Sequence, residues 1–209
     1  MDFWSRLEAV RSRWDVLQHP FYQRWSAGEL TRPELAAYAA EYRHAVVALA
    51  DAAGGAAAQA EPALAAQLRE HAAEEAGHVD LWDGFARAAG AAEDVAPAPE
   101  TADCARVWAG EDRPLLESLV AMYAIESAQP AISETKLAGL REHYGYADGP
   151  ATAYFELHAT LDHEHAAAER ALIEPRLAGA DEAALLAEAE RVLEANWRLL
   201  DGVERVNGR

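Results

Sequence analysis

Glu156-Leu157-His158-Ala159-Thr160-Leu161-Asp162-His163-Glu164-His165 reads as a helix with an unusual face. At about 100° per residue, His158, Asp162 and His165 fall within about 60° of one another, while His163 and Glu164 point elsewhere. Tyr154 and Glu169 extend the same stripe. The buried face of an amphipathic helix is normally apolar; this one stacks three metal-ligand side chains in the pattern HxxxDxxH. A solvated polar face is the plain alternative, and three other segments weigh against it.

The first is His71-Ala72-Ala73-Glu74-Glu75-Ala76-Gly77-His78. Glu75 and His78 form the i, i+3 ExxH pair that helical bundles use to hold carboxylate-bridged metals. Glu74 and His71 lie near that face. The second is Glu126, set among the mostly apolar Met122, Tyr123, Ile125 and Ala128 and therefore expected to point inward. Pro130 has no N–H for the Glu126 carbonyl, so the helix should kink or bulge there, an irregularity frequent at functional sites. The third is Glu41, flanked by Tyr38, Tyr42 and His44. It is a candidate ligand or an acceptor behind the ligands, with His44 its partner in either role.

Together, four helices offer inward carboxylates and imidazoles: Glu41, Glu74, Glu75, His78, Glu126, His158, Asp162 and His165. Mixed N/O donors without thiolates suit a pair of Fe or Mn ions rather than structural zinc. Such a set leaves positions open for dioxygen.

Composition sets the frame around this constellation. The chain has 209 residues, 51% hydrophobic and 26% charged, enough for one sizeable core. Alanine dominates while Val, Ile and Thr are scarce, which favours helix over strand. A formal charge of -18 opposes binding to nucleic acid or to anionic membranes. No apolar run reaches the length of a membrane span or a signal peptide. One cysteine, Cys104, precludes an internal disulfide and fits a reducing cytoplasm. Of 18 cationic residues, the only lysine is Lys136; either the composition simply disfavours lysine, or this position needs an amine of tunable pKa that a guanidinium cannot supply.

The punctuation predicts about seven helices in one all-α domain, residues 1–209. The first runs from Asp2 to Gln18. Thr31-Arg32-Pro33-Glu34 is a capping box for the second, which should stop at Gly54-Gly55. Pro62 opens a helix to near Gly90, and Pro114 one that reaches Tyr144 with an interruption at Pro130. Thr152 to Leu172 carries HxxxDxxH, and Asp181 caps the last helix.

With these residues in view, the chain resembles the haem-oxygenase-like di-iron oxidases, the metal-binding branch of the TenA/PqqC-like superfamily. The likeness rests on His19-Pro20-Phe21-Tyr22-Gln23-Arg24-Trp25, on Tyr38 to His44, Glu74 to Trp82 and Tyr123 to Lys136, and on HxxxDxxH with Glu126 lying 32 residues before His158. Within the branch it is similar to the chlamydial death-domain-associated protein group, which makes 4-aminobenzoate by consuming one of its own tyrosines and taking nitrogen from a lysine. Tyr22 and Lys136 stand at the matching positions. The resemblance also implies two irons (Fe2+/Fe3+, with Mn admissible), dioxygen as co-substrate and an external reductant. Two departures are visible. Ile125 replaces a family tyrosine, leaving Tyr123 as the nearby relay candidate, and the family's first glutamate falls on His71, so that Glu74, Glu75 or Glu41 must serve.

The expected function is therefore a di-iron oxidase acting on Tyr22 and Lys136, or on an external small amine or amino acid that it N-oxygenates or cleaves. A metal-free enzyme of the thiaminase-like kind would need a cysteine on a core helix, and Cys104 lies in a short helix after the Pro-rich loop. A binding or regulatory protein has no need of so many inward ligands. A homodimer is expected, with Trp4, Trp14 and Trp197 available for its surface or for the core.

Overall fold

The computed structural model describes residues 1–209. Nine α-helices and two short 3-10 turns account for its regular structure, with no strand. They are α1 (Phe3–Arg13), α2 (Pro20–Ser26), α3 (Arg32–Gln59), α4 (Pro62–Ala89), α5 (Pro99–Ala109), α6 (Leu115–Glu126), α7 (Gln129–Glu142), α8 (Ala153–Ile173) and α9 (Glu182–Val206). No helix is long and apolar enough to cross a membrane.

Local chemistry sets most boundaries. Thr31 and Glu34 form the expected reciprocal capping box, and Asp181 accepts from Ala183 and Ala184 at the start of α9. His19 caps α2 through Nδ1, which accepts from the Phe21 N–H, so its Nε2 carries the proton and donates to Asp201 at 3.1 Å. Gly90 ends α4 in the left-handed region at φ 76°.

Two boundaries depart from the sequence reading, at Arg13 and at Gly54-Gly55. The first segment breaks after Arg13 into a 3-10 turn at Val16–Gln18, where Asp15 caps a new start. The HPFYQRW segment is a helix of its own. Gly54 and Gly55 do not stop α3, because Ala52, Ala53, Ala56 and Ala57 are buried on either side of them. Burying that alanine stripe outweighs the cost of roughly 1 kcal/mol per helical glycine. The break at Pro130 is present: α6 ends at Glu126 and α7 starts at Gln129.

One cluster of 49 buried apolar residues fills the interior. α3 packs along α4 and α5, α9 crosses α5 and α6, and α8 lies against α4, α6 and α7. The donors on α4, α6 and α8 are thereby brought face to face. Gly139 permits one close approach: a Cβ there would stand 2.5 Å from Trp25 Nε1, the group that donates to the Lys136 carbonyl at 3.2 Å. Trp4, Trp14 and Trp197 are half-buried, and Trp14 meets Trp197 edge-on at 6.2 Å.

Candidate metal centre

Two overlapping groups of donors lie where α4, α6 and α8 meet. His71, Glu75, Glu126 and His165 form one, and Glu75, His78 and His158 the other, with donor atoms in each group within 4.8 Å of one another. Glu75 belongs to both. Its Oε1 is 3.1 Å from His78 Nδ1, 3.7 Å from His71 Nε2 and 3.7 Å from His165 Nδ1. Glu126 Oε2 faces His71 and His165 at 3.4 and 3.5 Å. The rings pair likewise, His71 with His165 at 4.4 Å and His78 with His158 at 4.5 Å.

Proximity here does not mean mutual hydrogen bonding. His71 Nε2, His78 Nδ1, His158 Nε2, His165 Nδ1 and both oxygens of Glu126 and Asp162 are buried without a hydrogen-bond partner. So are both oxygens of Glu169. Buried polar atoms in proteins are overwhelmingly partnered, and leaving one unsatisfied costs about 1–3 kcal/mol. Donors that converge while leaving their lone pairs unused fit divalent cations between them, as their N/O chemistry does.

Burial also concentrates negative charge here. Burial opposes charge on His71, yet Glu126 and Glu75 outweigh it and push the imidazole up to about 11. Burial together with the charges of Glu126 and Glu75 pushes Asp162 up to about 9. Glu169 is driven well above the carboxylate range by burial and the same neighbours. Four carboxylates this close need compensating positive charge to ionise together, which the His71 imidazolium supplies in part and divalent cations would complete.

Of the sequence candidates, Glu75, His78, Glu126, His158 and His165 fall in the two groups. Asp162 lies beside them, 3.8 Å from His165 Nδ1. Glu74 does not face inward: its side chain is 47% exposed and its carboxylate holds His165 Nε2 from outside at 3.1 Å. Glu41 is buried elsewhere, accepting from the Ala98 N–H at 3.0 Å where α5 begins, and His44 bonds the Val95 carbonyl instead. Tyr123 is half-buried and edge-on to Trp4. The donor not foreseen is His71. Its signal was present as the i, i+4, i+7 series His71, Glu75, His78, the same periodicity that singles out α8.

A second buried feature adjoins the donors. Lys136 Nζ on α7 is fully buried, has no hydrogen-bond partner, and sits among aromatic rings. It is 4.7 Å from the Tyr42 ring, 5.4 Å from Tyr38, 5.5 Å from Tyr22 and 5.6 Å from Trp82. Burial alone drives its pKa well below that of a free lysine, which favours the neutral amine. The Tyr22 and Tyr38 hydroxyls bond each other at 3.0 Å. Cys104 is also buried, and its thiol is pushed up by burial, the opposite of an activated nucleophile.

Comparison with known proteins agrees with this architecture. Residues 36–197 match a haem-oxygenase-like family described as iron-containing redox enzymes. A 4-aminobenzoate synthase of Chlamydia muridarum is 30% identical, the match covering 96% of this chain and 89% of that protein. Another, of Nitrosomonas europaea, is 31% identical over 96% of this chain and 90% of its own. In fold, a TenA homologue from Pseudomonas syringae superposes with a TM-score of 0.83 at 16% identity, covering 97% of this chain and 91% of that one.

Proposed function

The chain belongs to the haem-oxygenase-like family of iron-containing redox enzymes, and on that premise we propose that it is an oxygen-dependent di-iron oxidoreductase forming 4-aminobenzoate from its own Tyr22 and Lys136. The observation that carries this reading is the placement of the only lysine. Its amine lies 5.5 Å from the Tyr22 ring, in an aromatic cage with no hydrogen-bond acceptor within reach.

The product suits these two side chains. 4-Aminobenzoate is a para-substituted ring with one carbon on one side and nitrogen on the other. Tyr22 offers a para-substituted ring whose Cβ would become the carboxylate carbon once the Cα–Cβ bond is cleaved. Lys136 offers the nitrogen, which would leave Cε and replace the phenolic oxygen, lost as water. Oxidising a methylene carbon to a carboxylate needs an external oxidant, and irons held by His71, Glu75, Glu126 and His165 and by Glu75, His78 and His158 would supply dioxygen reduction.

The protein's own part is positioning and exclusion of water. Tyr22 and Lys136 are 1% and 0% exposed, so neither reaches bulk solvent before reaction. Tyr38 fixes the Tyr22 hydroxyl, and the Trp25 bond to the Lys136 carbonyl anchors α7 beside α2. A lysine with a depressed pKa is a competent nucleophile where an arginine is not.

The test is anaerobic loading with ferrous iron, a reductant and exposure to oxygen, followed by product analysis and peptide mass mapping. Side-chain loss at Tyr22, modification at Lys136 and transfer of label from 15N-lysine are expected. Lys136→Arg should abolish 4-aminobenzoate. If that variant still forms it, Lys136 is not the donor. Oxygen uptake that continues with both residues intact would favour an external amine substrate.

A further inference from the structure

The donor cluster is buried but not sealed. A cavity of about 250 Å³ opens between α4 and α8, with Glu70, Glu74 and Glu164 on its walls alongside His71, His165 and Glu169. The first three are exposed, whereas Glu169 is 2% exposed with neither carboxylate oxygen partnered. No arginine or lysine lines this cavity, although the chain carries 18 cationic residues. Glu74 spans the two zones, 47% exposed yet bonded to His165 Nε2 at 3.1 Å.

The geometry points to the α4–α8 seam as the entry route for divalent cations, with Glu70, Glu74 and Glu164 gathering the ion at the mouth and Glu169 the first buried carboxylate it meets. This rests on the reading of the cluster as a metal centre and adds how the centre is filled. At the mouth the charged groups are Glu70, Glu74 and Glu164, with His71 and His165 lying deeper, and a rim of one sign focuses the field and raises the on-rate of an opposite charge by about 10- to 1000-fold. Salt screens such steering, over a Debye length of about 8 Å at physiological strength. Glu74, in contact with both solvent and His165, brings the ion from rim to donors, and Glu169 lies one turn beyond His165 on the same helix face.

The experiment uses ferrous iron alone, without oxygen, mixed with the full chain in a stopped-flow instrument. Tryptophan fluorescence follows binding, since Trp82 lies one turn from His78 on α4. Iron content is measured after desalting. The variant is Glu70→Gln with Glu164→Gln. The control is Glu93→Gln with Glu111→Gln, which removes the same charge from exposed positions outside the seam. The seam variant should reach the parental iron content about ten-fold more slowly at low salt, with a flattened salt dependence, while the control keeps the parental rate. An unchanged rate in the seam variant, or equal slowing in the control, overturns the entry route. The metal-centre reading is judged separately, by the iron content of the unmodified chain before any rates are compared; a parent that holds no iron removes that reading and the route with it.

Discussion

The ring of His158 lies stacked on that of Tyr154, centroids 3.9 Å apart and planes 24° from parallel, while its Nδ1 donates to the Tyr154 carbonyl at 2.7 Å. Burial, with the neighbouring His78, pushes this imidazole down to about 4, so it is neutral with its single proton on Nδ1. The lone pair of Nε2 is thereby left for the cluster. A histidine fixed in tautomer and orientation this way is a better metal ligand than a free one. Tyr154→Ala removes the stacking surface and is expected to weaken iron binding about ten-fold. Tyr154→Phe keeps the surface and should bind as the parent does; titration with ferrous iron compares the two.

Glu75 is common to both donor groups whereas His78 is in one. Glu75→Ala should therefore lose both ions, and His78→Ala should keep the ion held by His71, Glu126 and His165. Elemental analysis of desalted protein decides this. Equal iron loss in the two variants would show that the groups do not fill independently.

Lys136 stabilises no folded contact in proportion to its burial. Burial depresses the folded-state pKa below the unfolded value of about 10.4, so between the two the unfolded chain binds more protons. Stability should accordingly rise with pH through this group. Lys136→Met removes the penalty and should gain about 2 kcal/mol at pH 7, on the order of 5 °C in Tm. The gain should shrink near pH 10. Thermal melts at the two pH values test both the size and the sign.

Glu34 behaves oppositely. Burial opposes its charge, but bonds from the Thr31 N–H and hydroxyl, each 2.7 Å, and the Arg24 guanidinium outweigh it and hold the carboxyl at about 2. A carboxylate with a depressed folded pKa stabilises above its unfolded pKa, and that stability is lost as pH falls from about 4.5 to about 2. Glu34→Gln should cost about 2 kcal/mol at pH 7 and close to nothing at pH 2. Urea unfolding across that range provides the comparison.

At Gly139 the close approach of α7 to Trp25 leaves no room for a methyl group. Gly139→Ala should destabilise by about 1–3 kcal/mol, because both the indole and its bond to the Lys136 carbonyl must shift. It should also lower 4-aminobenzoate yield more than iron content, since the donors sit on other helices. A parallel fall in both would mean that the whole bundle had loosened.

The sequence announced the helices whose ends carry chemistry: the Thr31 box, the Asp181 cap and the Pro130 break all lie where residue type alone places them. It misjudged Gly54-Gly55 because the deciding quantity, burial of the alanines around them, belongs to the packing of α3 and not to the local string. The α8 donors were legible through periodicity. Glu74 and Glu75 were not separable by type, and only the rotation of α4 against α8 sends one to solvent and the other to the centre. Glu41 illustrates the same limit: an inward carboxylate has two destinations, and here the N-terminus of α5 claims it. The Lys136 cage draws on α2, α3, α4, α7 and α8, so no single segment could disclose it.

The arginine-only surface has a practical consequence. Guanidinium groups do not react with the reagents that acylate primary amines at neutral pH. In the folded chain the terminal amine is therefore the one primary amine open to such reagents, since Lys136 is 0% exposed. Acylation of Lys136 counts the molecules that have opened, which makes the chain its own chemical clock of unfolding, with no label or engineered residue required.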